Sequence, residues 1–213
     1  MRKLTLSATL IMVMMGTICD AQVKSVSSIG AAITAKEGQQ WIANYNGKFQ
    51  TSAEHFIGKA VLLGLMQSEE AAGFYLIKGL DNEGNERLMM APATQSGMIV
   101  EGANVVLTSV KPESATQILD QEMMQKMAEK FQQIQQPEEF GAHLYGKKVF
   151  EELLSQPGAA GLFIGKGLDA NQEHLVLTAI DKKGEQMWAN VWNHGSGIFA
   201  IYQYLCCPVA RLD

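Results

Sequence analysis

The sequence predicts an α+β fold, two tandem ααβββ repeats related by a pseudo-twofold axis, with helices packed on antiparallel sheet. Three observations lead there. A motif occurs twice, running from His55 through Lys78-Gly-Leu-Asp81 to Leu88 and again from His143 through Lys166-Gly-Leu-Asp169 to Leu175. With Gly84 as one extra residue in the first turn, the copies share fourteen identities across 55–88, among them Gly58/Gly146, Lys59/Lys147, Ala72/Ala160, Gly73/Gly161 and Glu86/Glu173. Ahead of each copy lies a helix signal at a constant offset of 86, pairing Thr34 with Asp120, Trp41 with Met127 and Tyr45 with Phe131. Behind each lie apolar runs separated by Gly, Asp and Asn, the pattern of hairpins. Two copies are far fewer than an open solenoid holds. Pairing of the repeats is therefore expected, by sheets joined at an edge or by helices packed together.

Residues 1–21 read as a secretory signal: Met1-Arg2-Lys3, an apolar stretch from Leu4 to Met15, then a small-residue exit with cleavage after Ala21. The uncharged run to Cys19 falls short of the roughly 20 apolar residues that span a bilayer, so no transmembrane helix is expected in the mature chain. Lipid anchoring at Cys19 is the weaker alternative, because Ile18 stands where a small residue normally precedes such a cysteine. Export to the periplasm or the extracellular space follows. After cleavage only the adjacent Cys206 and Cys207 remain, which cannot form a long-range bridge and read as small apolar residues ending a strand.

The first repeat spans 22–110, with its core at 34–105. Residues 22–30 read as a flexible lead-in. Thr34-Ala-Lys-Glu37 is a capping box, and Trp41, Ile42 and Tyr45 share one face of a helix that Asn46-Gly47 ends. A second helix carries Val61, Leu62, Leu65 and Met66 on one stripe. Residues 72–78 and 87–91 form a hairpin around Gly79–Asn85, and a third strand follows near Val105.

Lys111-Pro-Glu-Ser114 links to the second repeat, 111–213, with its core at 120–191. There Asp120 is the N-cap of a helix bearing Met123, Met124, Met127 and Phe131, methionines that suit core filling. Val149, Phe150, Leu153 and Leu154 mark its second helix, which Ser155-Gln-Pro-Gly158 stops. Strands at 161–166, 174–178 and around Val191 follow, and the apolar run Ile198–Leu205 reads as a last strand after a turn at Asn193–Gly197.

No sequence motif specifies a reaction. Gly-x-Ser-x-Gly, Gly-x-Gly-x-x-Gly, a P-loop and His-Glu-x-x-His are all missing from the sequence. The net charge is −5, and losing Arg2, Lys3 and Asp20 (two positive charges, one negative) makes it −6. With no basic stripe, nucleic acid is not a partner. The candidate functional residues are those that recur: His55 and His143, Lys78 and Lys166, Asp81 and Asp169. Symmetry could bring the histidines together, but a zinc site needs at least three protein ligands and none stands at ligand spacing. No metal and no cofactor are expected. The plain role of Lys-Gly-Leu-Asp is turn chemistry, with the lysine solvated at a strand end and the aspartate bonding its own backbone.

The unit Gly146–Gly161, through Lys166-Gly-Leu-Asp169 to Leu175-Val-Leu177, resembles uncharacterised predicted secreted proteins of Bacteroidetes. The resemblance implies export and transfers no activity. The chain departs from it at Ala159-Ala160, where such sequences often read Cys-Val, and in lacking two separated cysteines near its end, so no disulfide role carries over. The function expected is a non-enzymatic binding or interaction module of the envelope or extracellular space, with an unknown protein or glycan partner and a homodimer left open. The alternatives are a secreted hydrolase whose site at the seam uses a histidine and a carboxylate, and an inhibitor or immunity-type protein presenting the acidic loop Asp81–Glu86.

Overall fold

The chain passes through the element order βαβαβββ twice. The computed structural model describes residues 25–50, 54–112, 116–135, 141–170 and 172–193. The expected signal segment, Cys19, the turn after Asn193, the strand Ile198–Leu205, Cys206 and Cys207 lie outside the described residues. In the first half, a short 3-10 turn (Val26–Ser28) leads into β1 (Ala31–Ile33), α1 (Ala35–Phe49), β2 (Glu54–Gly58), α2 (Lys59–Met66), β3 (Gly73–Leu80), β4 (Glu86–Ala93) and β5 (Val105–Leu107). The second half holds β6 (Gln117–Leu119), α3 (Gln121–Gln132), β7 (Ala142–Gly146), α4 (Lys147–Ser155), β8 (Gly161–Asp169), β9 (Gln172–Ile180) and β10 (Gln186–Asn193).

The fold is α+β, with two antiparallel five-stranded sheets and helices packed against them. Each half supplies only the middle of its own sheet. One sheet has the order β1-β10-β9-β8-β2, the other β6-β5-β4-β3-β7. The edge strands of each therefore come from the opposite half. Helices are exchanged as well: α1 packs on β8 and α3 on β3.

Strand periodicity explains the layering, since alternate residues face opposite sides. Phe74, Leu76, Leu88 and Met90 of one sheet and Leu162, Ile164, Leu175 and Leu177 of the other share a single core with the buried stripes of α2 and α4. The opposite face of the second sheet, with Tyr75, Ile77, Met89 and Ala91, meets Met124 and Met127 of α3. Two sheets thus face one another, and α1 and α3 cover their outer faces. The halves join at strand edges, β2 on β8 and β7 on β3, and the two sheets also meet at one edge through the Phe56–Ser109 bridge, so the edge-to-edge joining expected from sequence is present alongside the face-to-face packing.

All of the doubled glycines except Gly58 have a steric reason. Gly58 pairs with Gly161 and Gly73 with Gly146 across the halves. A Cβ on Gly73 would stand 2.5 Å from the Tyr145 carbonyl oxygen, and one on Gly161 2.6 Å from that of Ile57. Gly79 and Gly167 seat the helices, since a Cβ would lie 2.8 Å from Cβ of Met127 or 2.9 Å from Cβ of Trp41. The first amide of each short helix, which has no partner within its helix, donates to the other half: Lys59 N to Ala160 O and Lys147 N to Ala72 O, both at 2.9 Å.

Three local expectations need correction. Residues 25–30 are not a loose lead-in, because Val26 and Ile29 are buried under the second sheet and Ile29 O accepts from Gly146 N at 2.7 Å. α1 continues through Gly47 to Phe49, whose ring packs on Tyr45 at 4.6 Å, and ends at Gln50 in a left-handed conformation. Short strands, β1 and β2, then β6 and β7, precede each helix, so the ααβββ pattern misses the residues that complete the sheets. The capping box at Thr34 and the Asp120 cap form as expected, with Thr34 Oγ1 accepting from Glu37 N at 3.2 Å and Asp120 Oδ1 from Met123 N at 2.7 Å.

Candidate functional site

Lys78 and Lys166 face the interior between the sheets, on the same strand faces as Leu76 and Ile164, where parity from the apolar residues puts them. They are only 1% and 6% exposed. Lys78 Nζ donates to Glu173 Oε1 at 2.8 Å, and Lys166 Nζ donates to Glu86 Oε1. Lys166 also stands 3.8 Å from the Glu173 carboxylate. Two lysines and two glutamates thus form a quartet, buried at Lys78, Lys166 and Glu173 and 30% exposed at Glu86, in which each direct hydrogen bond joins one sheet to the other and one half to the other. The expectation of solvated lysines at a turn is overturned: β3 runs on to Leu80 and β8 to Asp169, so both lysines are within strands. Glu86 and Glu173, present among the fourteen identities, are the ion-pair partners that sequence reasoning left without a role.

Aromatic residues close the quartet. The Phe131 ring lies 5.3 Å from Lys78 Nζ and the Tyr45 ring 5.7 Å from Lys166 Nζ, a pair already matched by the offset of 86. Burial pulls Lys78 below the ordinary lysine range and neighbouring Lys166 adds to this, while Glu86 and Glu173 oppose it. Burial also works against the charge of Lys166, but the carboxylates of Glu86 and Glu173 outweigh it and leave that lysine raised. Lys166 stands within 4 Å of the carboxylates of both Glu86 and Glu173, which accounts for its raised value, whereas at Lys78, bonded to Glu173, burial prevails.

His55 is buried beside this cluster, with Nδ1 3.0 Å from Thr108 Oγ1, which itself donates to Leu88 O at 2.8 Å. Burial, with Lys166 adding, lowers it to about 4. His143 occupies the matching place on β7, paired with Leu76. Since Lys78 of β3 meets Glu173 of β9 and Lys166 of β8 meets Glu86 of β4, β2 lies over β5 and β7 over β10. The two histidines are therefore on opposite sides of the sandwich, and the expectation that symmetry could join them does not hold. Among the described residues no group of three His, Cys, Asp or Glu is placed to hold a metal ion.

Asp81 does perform turn chemistry: Oδ1 accepts from Glu83 N at 3.0 Å and Asn85 N at 2.9 Å, and these backbone donors hold its carboxyl below the usual range. Its other oxygen lies 3.1 Å from Arg87 Nε. Asp169, at the end of β8, is exposed. Asp181 makes the Asp81-type turn in the second half instead, accepting from Lys183 N at 2.8 Å and Glu185 N at 2.9 Å. The loop Asp81–Glu86 thus spends two of its acidic groups internally, Asp81 on its own turn and Glu86 on Lys166.

Among the described residues, two surface pockets lie along the second sheet. One of about 480 Å³ has Ser68, Glu69, Glu70 and Glu101 on its rim, and one of about 280 Å³ lies among Asp81, Arg87, Leu119, Met123 and Met127. Neither is lined by a histidine or a cysteine. Among the described residues no helix is long and apolar enough to cross a membrane. No protein-family model, curated protein or solved structure matches this chain.

Proposed function

We propose that the chain is an exported binding or interaction module without catalytic activity, working in the periplasm or outside the cell, and that its halves are two copies of one βαβαβββ unit about a pseudo-twofold axis. The observation that carries this is the fate of the doubled charged residues. Lys78, Lys166, Glu86 and Glu173 are directed at one another between the sheets, so the chemistry the repeat provides twice serves closure of the sandwich. His55, the recurrent residue with the clearest shift, is held by Thr108 away from both pockets. Export rests on the charged start, apolar core and small-residue exit of residues 1–21. The repeat rests on the offset of 86 together with the matching strand orders.

The test is capture by the immobilised mature chain from envelope extract and culture medium, alongside turnover assays on ester, amide and glycosidic substrates. Stoichiometric recovery of one protein or glycan, with no turnover, is expected. Turnover that a His55→Ala substitution abolishes would establish the hydrolase instead.

A further inference from the structure

We infer that this fold accepts a second copy of the chain by exchange of halves, the half before residue 110 in one copy closing with the half after residue 116 in the other. Neither half can complete a sheet from its own residues, because β1 and β2 edge the sheet of β8, β9 and β10, while β6 and β7 edge that of β3, β4 and β5. The buried lysines are bonded across the halves, Lys78 to Glu173 and Lys166 to Glu86. The short helices also depend on the opposite half. Lys59 N and Lys147 N donate across, and Lys59 Nζ donates to Leu154 O at the end of α4 at 2.8 Å. What joins the halves covalently is the connection from Leu107 to Gln117, which turns β5 back onto β6 with those two residues in register.

If that connection passes to a second copy, β5 pairs with the β6 of its partner and every contact named above is remade unchanged. Domain swapping of this kind is a low-cost route to a dimer, because no new interface has to be designed. Closure within one chain is favoured only by the effective concentration the connection imposes, on the order of millimolar for a short link. The exchanged dimer therefore competes at high chain concentration, when the chain is refolded, or when the connection is shortened. This inference is independent of what else the protein binds.

Two charge-reversed full-length chains test it, Lys78→Glu and Glu173→Lys. Alone, each places like charges in contact at the quartet. Refolded together, an exchanged dimer matches each new carboxylate with a new amine and each original lysine with an original glutamate. Light scattering and circular dichroism are expected to show a folded species of twice the mass in the mixture, at least about tenfold more abundant than in either chain alone. A chain carrying both reversals shows whether the inverted pair is accommodated; if it folds and the mixture yields no dimer, the inference is overturned. A chain lacking residues 110–116 decides the matter whatever the inverted pair does. A dimer with the wild-type spectrum supports exchange, and either a folded monomer or an unfolded chain refutes it.

Discussion

Replacing Lys78 by methionine removes one ammonium from the quartet and keeps most of the side-chain volume. Lys78 is 1% exposed and bonded at 2.8 Å to Glu173, which is itself 8% exposed. The substitution leaves the Glu173 carboxylate between two apolar sheets with Lys166 at 3.8 Å as its remaining counter-charge. Breaking a buried pair by removing one partner costs about 3–5 kcal/mol, and the residual attraction of Lys166 places the expected loss at the lower end, about 3 kcal/mol. In urea, with a slope of about 2 kcal/mol/M for a protein of this size, the unfolding midpoint should fall by about 1.5 M. Adding Glu173→Leu removes the stranded charge, and replacement of a whole buried pair by apolar groups is often neutral. The double variant should recover to within about 1 kcal/mol of wild type, a coupling of the size that contacting residues show. A Lys78→Met midpoint unchanged from wild type, or a double variant no more stable than the single one, would refute the buried pairing.

Three further outcomes follow from the same geometry. Burial holds His55 down at about 4 against an ordinary 6.5, so below pH 6.5 the unfolded chain takes up a proton that the folded chain refuses. Stability should change little just above pH 6.5 and fall by up to about 3 kcal/mol on account of His55 as pH drops to 4; His55→Asn should flatten most of that slope in pH-dependent urea titrations, the remainder coming from His174, which burial also lowers, and from the carboxyls of Asp81 and Glu37, which their hydrogen bonds hold low. Gly73→Ala and Gly161→Ala, each driving a Cβ into a carbonyl oxygen of the opposite half, should lower stability by about 1–3 kcal/mol, whereas Gly58→Ala, whose Cβ would meet nothing within 4 Å, should be almost silent in thermal melts. Thr34→Ala, which deletes the reciprocal capping box of α1, should cost about 1 kcal/mol by the same measurement.

Much of the local structure was legible because it depends on neighbours in sequence. The caps at Thr34 and Asp120, the apolar stripe of α4 and the turn made by Asp81 all rest on residues within a few positions of one another. The exchange of edge strands was not legible, since β1 and β6 have three residues each and β2 and β7 five, too short to show a period of two against the neighbouring helices. Lys78 was misread for a related reason. A lysine ahead of Gly-Leu-Asp looks like a strand end, and its partner Glu173 lies 95 residues away. The signal that could have found it was present in the doubled Glu86 and Glu173, because a lysine and a glutamate that both recur in apolar strands, each on the parity of buried leucines, call for one another. Gly47 was likewise read as a helix stop, where packing of Phe49 on Tyr45 carries α1 one turn further.

The reciprocal completion of the sheets is tested most directly by cross-strand nuclear Overhauser effects in the full chain. The expected contacts join Phe56 of β2 to Phe163 of β8, whose rings are 5.6 Å apart, and Leu144 of β7 to Tyr75 of β3. Contacts that instead place β2 beside β3, and β7 beside β8, would show each half building its own sheet and would contradict the exchange.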